Sequence, residues 1–386
     1  MSSLRMQRVQ DPIIPQIAAL IRSNPGTISL GQGVVHYPPP ASVQQHVSEI
    51  WADPKNHLYA PVDGIAGLKN VITNKLAKDN DIVLSSNQCL VVTAGGNMAF
   101  LNALFAITEP ADEIILLTPF YFNHDMAIAM LNCKTITVPV DANYQIDFPQ
   151  LEAAISQKTK AIVTNSPNNP TGAVYPKSDL VKVNKLCKRH SIYHINDEAY
   201  EYFTYGESNH FSPGSLKSSE DHTISIFSLS KSYGFAGWRI GYMVAPASLE
   251  LAIMKAQDTN LINATVASQH AAIGAMEAGA AYPRSFLDGL SEVRQLVLEQ
   301  LDQISDICTA PQPDGAFYVL LKINTDMSPL ALTERLIKEH KVAVIPGSAF
   351  GMHDGCYLRV AYGALQKSTV EEGIGRLVSG LRAIVG

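Results

Sequence analysis

The feature that most constrains this 386-residue chain is an alternation running from about Leu90 to Ala245. QCLVVTAGG (88–96) is an apolar run ending in a turn, NMAFLNALFAI (97–107) reads as a buried helix, and EIILLTP (113–119) is a second short apolar run. A helix is expected from Asn123, with further strands in KTITVPV (134–140), KAIVTNSP (160–167), SIYHINDE (191–198) and TISIFSLS (223–230). Short apolar runs separated by helix-length segments imply βα units, and therefore an α/β domain with a largely parallel sheet.

Ligands of open α/β sheets gather at the carboxyl ends of the strands. Those ends carry Thr93-Ala94-Gly95-Gly96-Asn97, Asn165-Ser166-Pro167-Asn168-Asn169-Pro170, Asn196-Asp197-Glu198 and Ser228-Leu229-Ser230-Lys231. Four polar tails in succession point to one polar site. The last third reads differently. One long amphipathic helix is expected from about Ala271 to Ile307, followed by GAFYVLLKI (315–323), a helix around Leu330 to His340, and CYLRVAYG (356–363). This pattern predicts a smaller α+β domain joined by the N-terminal stretch, with residues 46–270 forming the large domain and 1–45 with 271–386 the small one.

Hydrophobic residues make up 46% of the chain and charged residues 17%, enough for a large core and against extended disorder. The net charge of −6 comes without a dense basic cluster, which argues against a nucleic-acid surface. The five cysteines (Cys89, Cys133, Cys187, Cys308 and Cys356) show neither a C-x-x-C pair nor zinc-ligand spacing, so free thiols and no metal site are expected. No apolar run approaches the ~20 residues of a membrane helix, and the N-terminus lacks a signal-peptide core. A cytoplasmic location is the expectation.

The strongest local signal is FSLSKSYGFAGWRIGY (227–242). Lys231, following a strand and preceded by two serines, presents an amine and hydroxyl donors at the sheet edge. Arg239, eight residues on, can return to the same place and grip a phosphate bidentately. Gly95-Gly96-Asn97 opens a helix whose free N–H groups and dipole suit an anion. By contrast, Gly31-x-Gly33-x-x-His36 begins like a dinucleotide fingerprint but lacks its third glycine, which argues against a nicotinamide site. Walker A, H-E-x-x-H and G-x-S-x-G motifs are absent.

Ser228-x-Ser230-Lys231 with Gly237-x-Arg239, together with LGQG (30–33), NSPNNPTG (165–172), DEAY (197–200) and LRVAY (358–362), occur in family order. The set resembles class I/II, fold-type I aminotransferases dependent on pyridoxal 5′-phosphate (PLP), in particular the aspartate/aromatic/kynurenine group. The resemblance spans about Leu30 to Ala361 and implies a role for each matched residue. Lys231 would carry the cofactor as a Schiff base and shuttle the substrate's α-proton, Asp197 would pair with the pyridine nitrogen, and Tyr200 and Asn169 would bind O3′. Tyr121 would stack on the ring, with His124 behind Asp197. Gly95, Gly96, Asn97, Ser228, Ser230 and Arg239 would hold the phosphate. Arg359, Gly33 and Asn169 would bind the substrate's α-carboxylate. Tyr59, and loosely Asn263, would reach the neighbouring subunit's site, implying a homodimer with shared active sites.

Two departures bear on the substrate. Val34-Val35-His36-Tyr37 replaces the usual Pro-Asp-containing loop, and Asn97 stands where some dicarboxylate-using relatives carry lysine. The expected activity is therefore transfer of an amino group from a neutral or aromatic L-amino acid to a 2-oxo acid by a ping-pong mechanism. The rival readings are a β-lyase acting on cysteine conjugates or cystathionine, and a non-catalytic PLP-binding regulator, the latter disfavoured by the absence of an added DNA-binding segment.

Overall fold

The computed structural model describes residues 3–386. A seven-stranded sheet comprises β1 (Gln88–Thr93), β2 (Glu113–Thr118), β3 (Lys134–Pro139), β4 (Thr159–Asn165), β5 (Tyr193–Asp197), β6 (Thr223–Ser228) and β7 (Gly241–Pro246). Their spatial order is β1-β7-β6-β5-β4-β2-β3. β6 is buried along its whole length, as a strand covered by helices on both faces must be, whereas edge strand β3 exposes Lys134, Thr137 and Pro139.

The sheet is mixed and mostly parallel: four of its six pairings are parallel, and both pairings of β7 are antiparallel. The exception has a local cause. After β6 the chain makes a one-turn helix and a turn through Arg239 (φ +55°), then reverses, so that Gly241 pairs with both Ser228 and Thr93. The start of β7 thus sits between the carboxyl ends of β1 and β6. The approach is too close for a side chain, since a Cβ on Gly241 would lie 2.6 Å from the Phe227 carbonyl oxygen.

The single long helix expected over 271–307 is instead three: Val266–Glu277, Ala281–Arg284 and Leu287–Asp302. Gly279 adopts φ +65° at the first break and Pro283 sits in the short middle helix ahead of the second, while the apolar spacing continues through both. The next segments form an antiparallel sheet of β8 (Cys308–Thr309), β9 (Tyr318–Ile323), β10 (Ile345–Pro346) and β11 (Cys356–Ala361), in the order β10-β11-β9-β8. The helix Lys367–Val385 buries Val370, Ile374, Leu377 and Leu381 at helical spacing within this sheet's core.

The N-terminal stretch is stitched to the smaller sheet. Ile28–Ser29 pairs in parallel with Val342–Ala343, and Leu30 accepts from the Ala361 N–H at 2.7 Å. This delivers the segment from Leu30 to Gly33 to the strand that carries Arg359. We propose that the two sheets mark two domains, the larger over 46–270 and the smaller from its flanks, with the helix Val266–Glu277 running across the boundary. No helix among the described residues is long and apolar enough to cross a membrane.

Candidate active site

A cavity of about 300 Å³ opens at the carboxyl ends of the large sheet. On its floor β6 ends at Ser228, whose hydroxyl accepts the Ser230 N–H at 3.2 Å and caps the turn Leu229–Ser232. Tyr37 closes the turn's other end, donating to the carbonyls of Lys231 (3.1 Å) and Ser232 (3.3 Å). Lys231, held from both ends, donates through Nζ to the Gly33 carbonyl at 2.5 Å. Desolvation, followed by the nearby Arg359 and Arg239 guanidinium groups, pulls the lysine pKa down to about 8, with Asp197 opposing. An amine so placed is a nucleophile and a base near neutral pH.

One wall is built for an anion. Gly95 takes φ +82° and starts the helix Gly96–Ile107, whose first-turn N–H groups have no partners within the helix. Arg239 folds over this end, and a Cβ on Gly95 would meet its Nη2 at 2.6 Å. Among the described residues, the guanidinium is hydrogen-bonded to the carbonyls of Ala236 (3.0 Å) and Ala94 (3.4 Å). With the serine hydroxyls beside it, this cup matches a phosphate dianion in shape and charge.

Across the cavity, buried Asp197 ends β5. Its carboxylate faces His124 Nε2 at 3.1 Å and accepts the Ala199 N–H at 3.1 Å. His124 packs against the rings of Phe100 (4.2 Å between centroids) and Tyr121 (5.3 Å). The Tyr121 hydroxyl accepts from Asn123 at 2.8 Å and donates to Asn97 at 3.4 Å, so the tyrosine ring walls the space in front of the carboxylate. Tyr200, three residues beyond Asp197, brings its hydroxyl to 3.4 Å from Asn169 Nδ2 and 2.7 Å from the Tyr318 hydroxyl.

Arg359 reaches in from β11 and is 2% exposed. It donates to Asn169 Oδ1 at 2.9 Å and to the Gly31 carbonyl at 2.6 Å, while its Nε has no partner among the described residues. Desolvation lowers its pKa, and the phenols of Tyr318, Tyr200 and Tyr121 oppose that shift. A buried guanidinium satisfied only by neutral oxygens, with one N–H left over and a cavity before it, is prepared for a carboxylate.

Every residue the sequence singled out for the site lines this cavity except Gly95, His124, Tyr59 and Asn263. Gly95 lies just behind it, against Arg239. Tyr59 stands apart, 83% exposed, in a separate surface hollow that also contains Asn263. The sequence reading missed Tyr318, Ile14 and Phe122, and named Asn165 and Val34 only as parts of a strand tail and a loop without a role of their own; all five line the cavity. Asn165 heads the NSPNNPTG motif and holds it in place, accepting the Asn169 N–H at 2.8 Å and donating to the Asp197 carbonyl at 3.1 Å. Tyr318 lay hidden in an uninterrupted apolar run, where nothing separates a core aromatic from a site phenol.

Taken together, the residues can hold a phosphate, an aromatic ring whose nitrogen meets a carboxylate, and a substrate carboxylate, around an amine able to attack a carbonyl carbon. That donor set fits PLP. A family model described as aminotransferase class I and II matches residues 25–377. The chain is 31% identical to an aspartate aminotransferase of Pyrococcus abyssi, over 92% of each chain. It is also 31% identical to an aromatic aminotransferase of Arabidopsis thaliana, over 100% of this chain and 97% of that one. The structure resembles that of the aromatic aminotransferase of Pyrococcus horikoshii, with a TM-score of 0.87, 29% identity, and coverage of 95% of this chain and 99% of that one.

Proposed function

The chain belongs to the class I and II aminotransferases, which use PLP, and on that premise we propose that it is a ping-pong enzyme with Lys231 as catalytic base and a preference for neutral or aromatic amino acids. Its substrates are amino acids and 2-oxo acids. The observation that carries the site assignment is the convergence of an amine with a pKa near 8 and a buried, carboxylate-free guanidinium on one cavity.

When bound, the cofactor supplies an electron sink for the pair left behind as the substrate's α-proton departs. The protein does the rest. Lys231 would take that proton from the substrate's α-carbon and hold it for return. Asp197, steadied by His124, keeps a proton on the pyridine nitrogen. Tyr200 and Asn169 would hold the 3′-oxygen, and Tyr121 would support the ring. Arg239, Ser228, Ser230 and the helix terminus at Gly95-Gly96-Asn97 anchor the phosphate. Arg359, Asn169 and the backbone at Gly33 hold the substrate's carboxylate. Tyr59 completes the phosphate site of a second copy in a homodimer, which accounts for its exposure in the single chain.

The substrate preference follows from counting cations. Among the described residues lining the cavity the cationic side chains are Lys231, Arg239 and Arg359, and each has a task. A side-chain carboxylate finds the amide of Asn97 and the apolar Ile14, Val34 and Phe122 instead. The names of the relatives include both aspartate and aromatic enzymes and do not choose between them.

The test is the visible spectrum of the holoenzyme, recorded as single amino acids are added without an oxo acid. Bleaching that is faster with phenylalanine, methionine or glutamine than with aspartate supports the reading, as do parallel double-reciprocal plots in the full reaction. Aspartate as much the fastest donor overturns the preference. A persistent band, with pyruvate and ammonia released from cysteine conjugates, would make the enzyme a β-lyase.

A further inference from the structure

A phenol has one hydrogen to give and two lone pairs with which to accept. Tyr318, fully buried on β9 of the smaller sheet, sets its hydroxyl 2.7 Å from that of Tyr200, which follows β5 of the larger one. The rings meet edge to face, at 83° and 5.5 Å between centroids. Asn169 Nδ2, which can only donate, approaches the Tyr200 hydroxyl at 3.4 Å. The Arg359 guanidinium lies 4.7 Å over the Tyr318 ring. On the remaining side is Gly33, where a Cβ would fall 2.3 Å from the Tyr318 hydroxyl oxygen.

We propose that Tyr318 is a positioning residue for the cofactor: its hydroxyl donates to Tyr200 and thereby commits the single hydrogen of Tyr200 to the cofactor's 3′-oxygen. The proposal rests on the reading of Tyr200 given above. An anionic 3′-oxygen is a stronger acceptor than a neutral phenol, so the Tyr200 hydrogen turns toward it and Tyr318 is left as the donor in the contact between the two hydroxyls. Burial raises the pKa of both phenols and the Arg359 guanidinium opposes that rise in both, so both hydroxyls stay protonated and each has one hydrogen to place. Two phenols in series polarise one another and strengthen the terminal bond. A firmly held 3′-oxygen offers less to the Lys231 nitrogen in the holoenzyme and lowers that nitrogen's affinity for a proton. Because the phenols belong to different sheets, their bond also ties the cofactor's protonation to the seating of one sheet on the other.

The experiment is a pH titration of the holoenzyme's visible absorption. Tyr318→Phe should move the midpoint upward by about 0.4–1 pH unit, the equivalent of one net hydrogen bond. Tyr200→Phe should move it further, and the double variant no further than Tyr200→Phe alone. Replacing Tyr318 with 3-fluorotyrosine, which keeps every contact and sharpens the donor, should move the midpoint downward even if the phenylalanine variant folds poorly. An unchanged midpoint with 3-fluorotyrosine, or shifts that add in the double variant, would overturn the proposal. A wild-type holoenzyme with no titrating band, or a Lys231→Ala variant that retains it, would instead bring down the site assignment.

Discussion

Lys231 and Gly33 lie 198 positions apart and are joined by one hydrogen bond, the Nζ of the first donating to the carbonyl oxygen of the second at 2.5 Å. The bond spans the end of the larger sheet and a loop stitched to the smaller one. It holds the amine beside the two guanidinium groups that, with desolvation, depress its pKa.

That pKa has a direct consequence for cofactor capture. The free amine dominates above about pH 8. Below that, the neutral fraction falls about tenfold per pH unit. The rate at which apoenzyme combines with PLP should follow this curve, with its break near pH 8 and not near that of an ordinary lysine. Stopped-flow absorbance across pH 6–10 reads it out, and Lys231→Ala should show neither the band nor turnover.

Arg359→Lys keeps a positive charge but loses the planar fork that spans Asn169 and the Gly31 carbonyl. The loss of charge-assisted hydrogen bonding is worth about 2–3 kcal/mol, or roughly 30–150-fold in kcat/KM. The loss should appear in both half-reactions, since amino and oxo acids share the carboxylate, while the visible band of the holoenzyme remains. A defect confined to one half-reaction would place the carboxylate elsewhere.

Asp197→Asn preserves shape and contact with His124 but removes the negative charge that keeps a proton on the ring nitrogen. A fall in kcat on the order of 10²–10³-fold is expected, the scale of deleting one preorganised electrostatic partner. Thermal melting should change little, and cofactor should still bind. Near-wild-type turnover would remove Asp197 from the chemistry.

His194 makes a prediction about stability that is independent of catalysis. It is fully buried on β5, bonded to Thr164 (2.8 Å) and Asn184 (3.3 Å), and desolvation pushes its pKa from 6.5 down to about 3. The unfolded chain therefore takes up a proton at higher pH than the folded one. This contribution to stability is complete above about pH 6.5 and is lost as pH falls toward 3, amounting to about 2 kcal/mol by pH 5. Urea unfolding at pH 7.5 and pH 5 should show that loss. His222, lowered in the same direction, should add to it.

Much of this was legible in the sequence because local chemistry encodes it. A serine–lysine turn after a strand, a glycine pair before a helix and an acid at a strand end each keep their meaning without knowledge of neighbours, and Lys231, Gly96 and Asp197 all line the cavity. Period-based reading failed where periodicity is blind. Between Ala271 and Ile307 the apolar spacing ran on through two breaks, and only Gly279 and Pro283 marked them. On β9 an unbroken apolar run concealed the one hydroxyl that reaches Tyr200.

The sequence by itself determined the family, the alternating α/β architecture and the kinds of side chain the site would use, since these depend on residue identity and near spacing. Tertiary structure decided which groups meet. The reversal at Arg239 inserts β7 between the ends of β1 and β6, and the ladder at Ile28–Ser29 carries Gly33 to Lys231. The lowered pKa of Lys231 and the open N–H of Arg359 also arise there. Desolvation and charge proximity are properties of position in space, and only the folded chain brings residues hundreds of positions apart within a few ångströms.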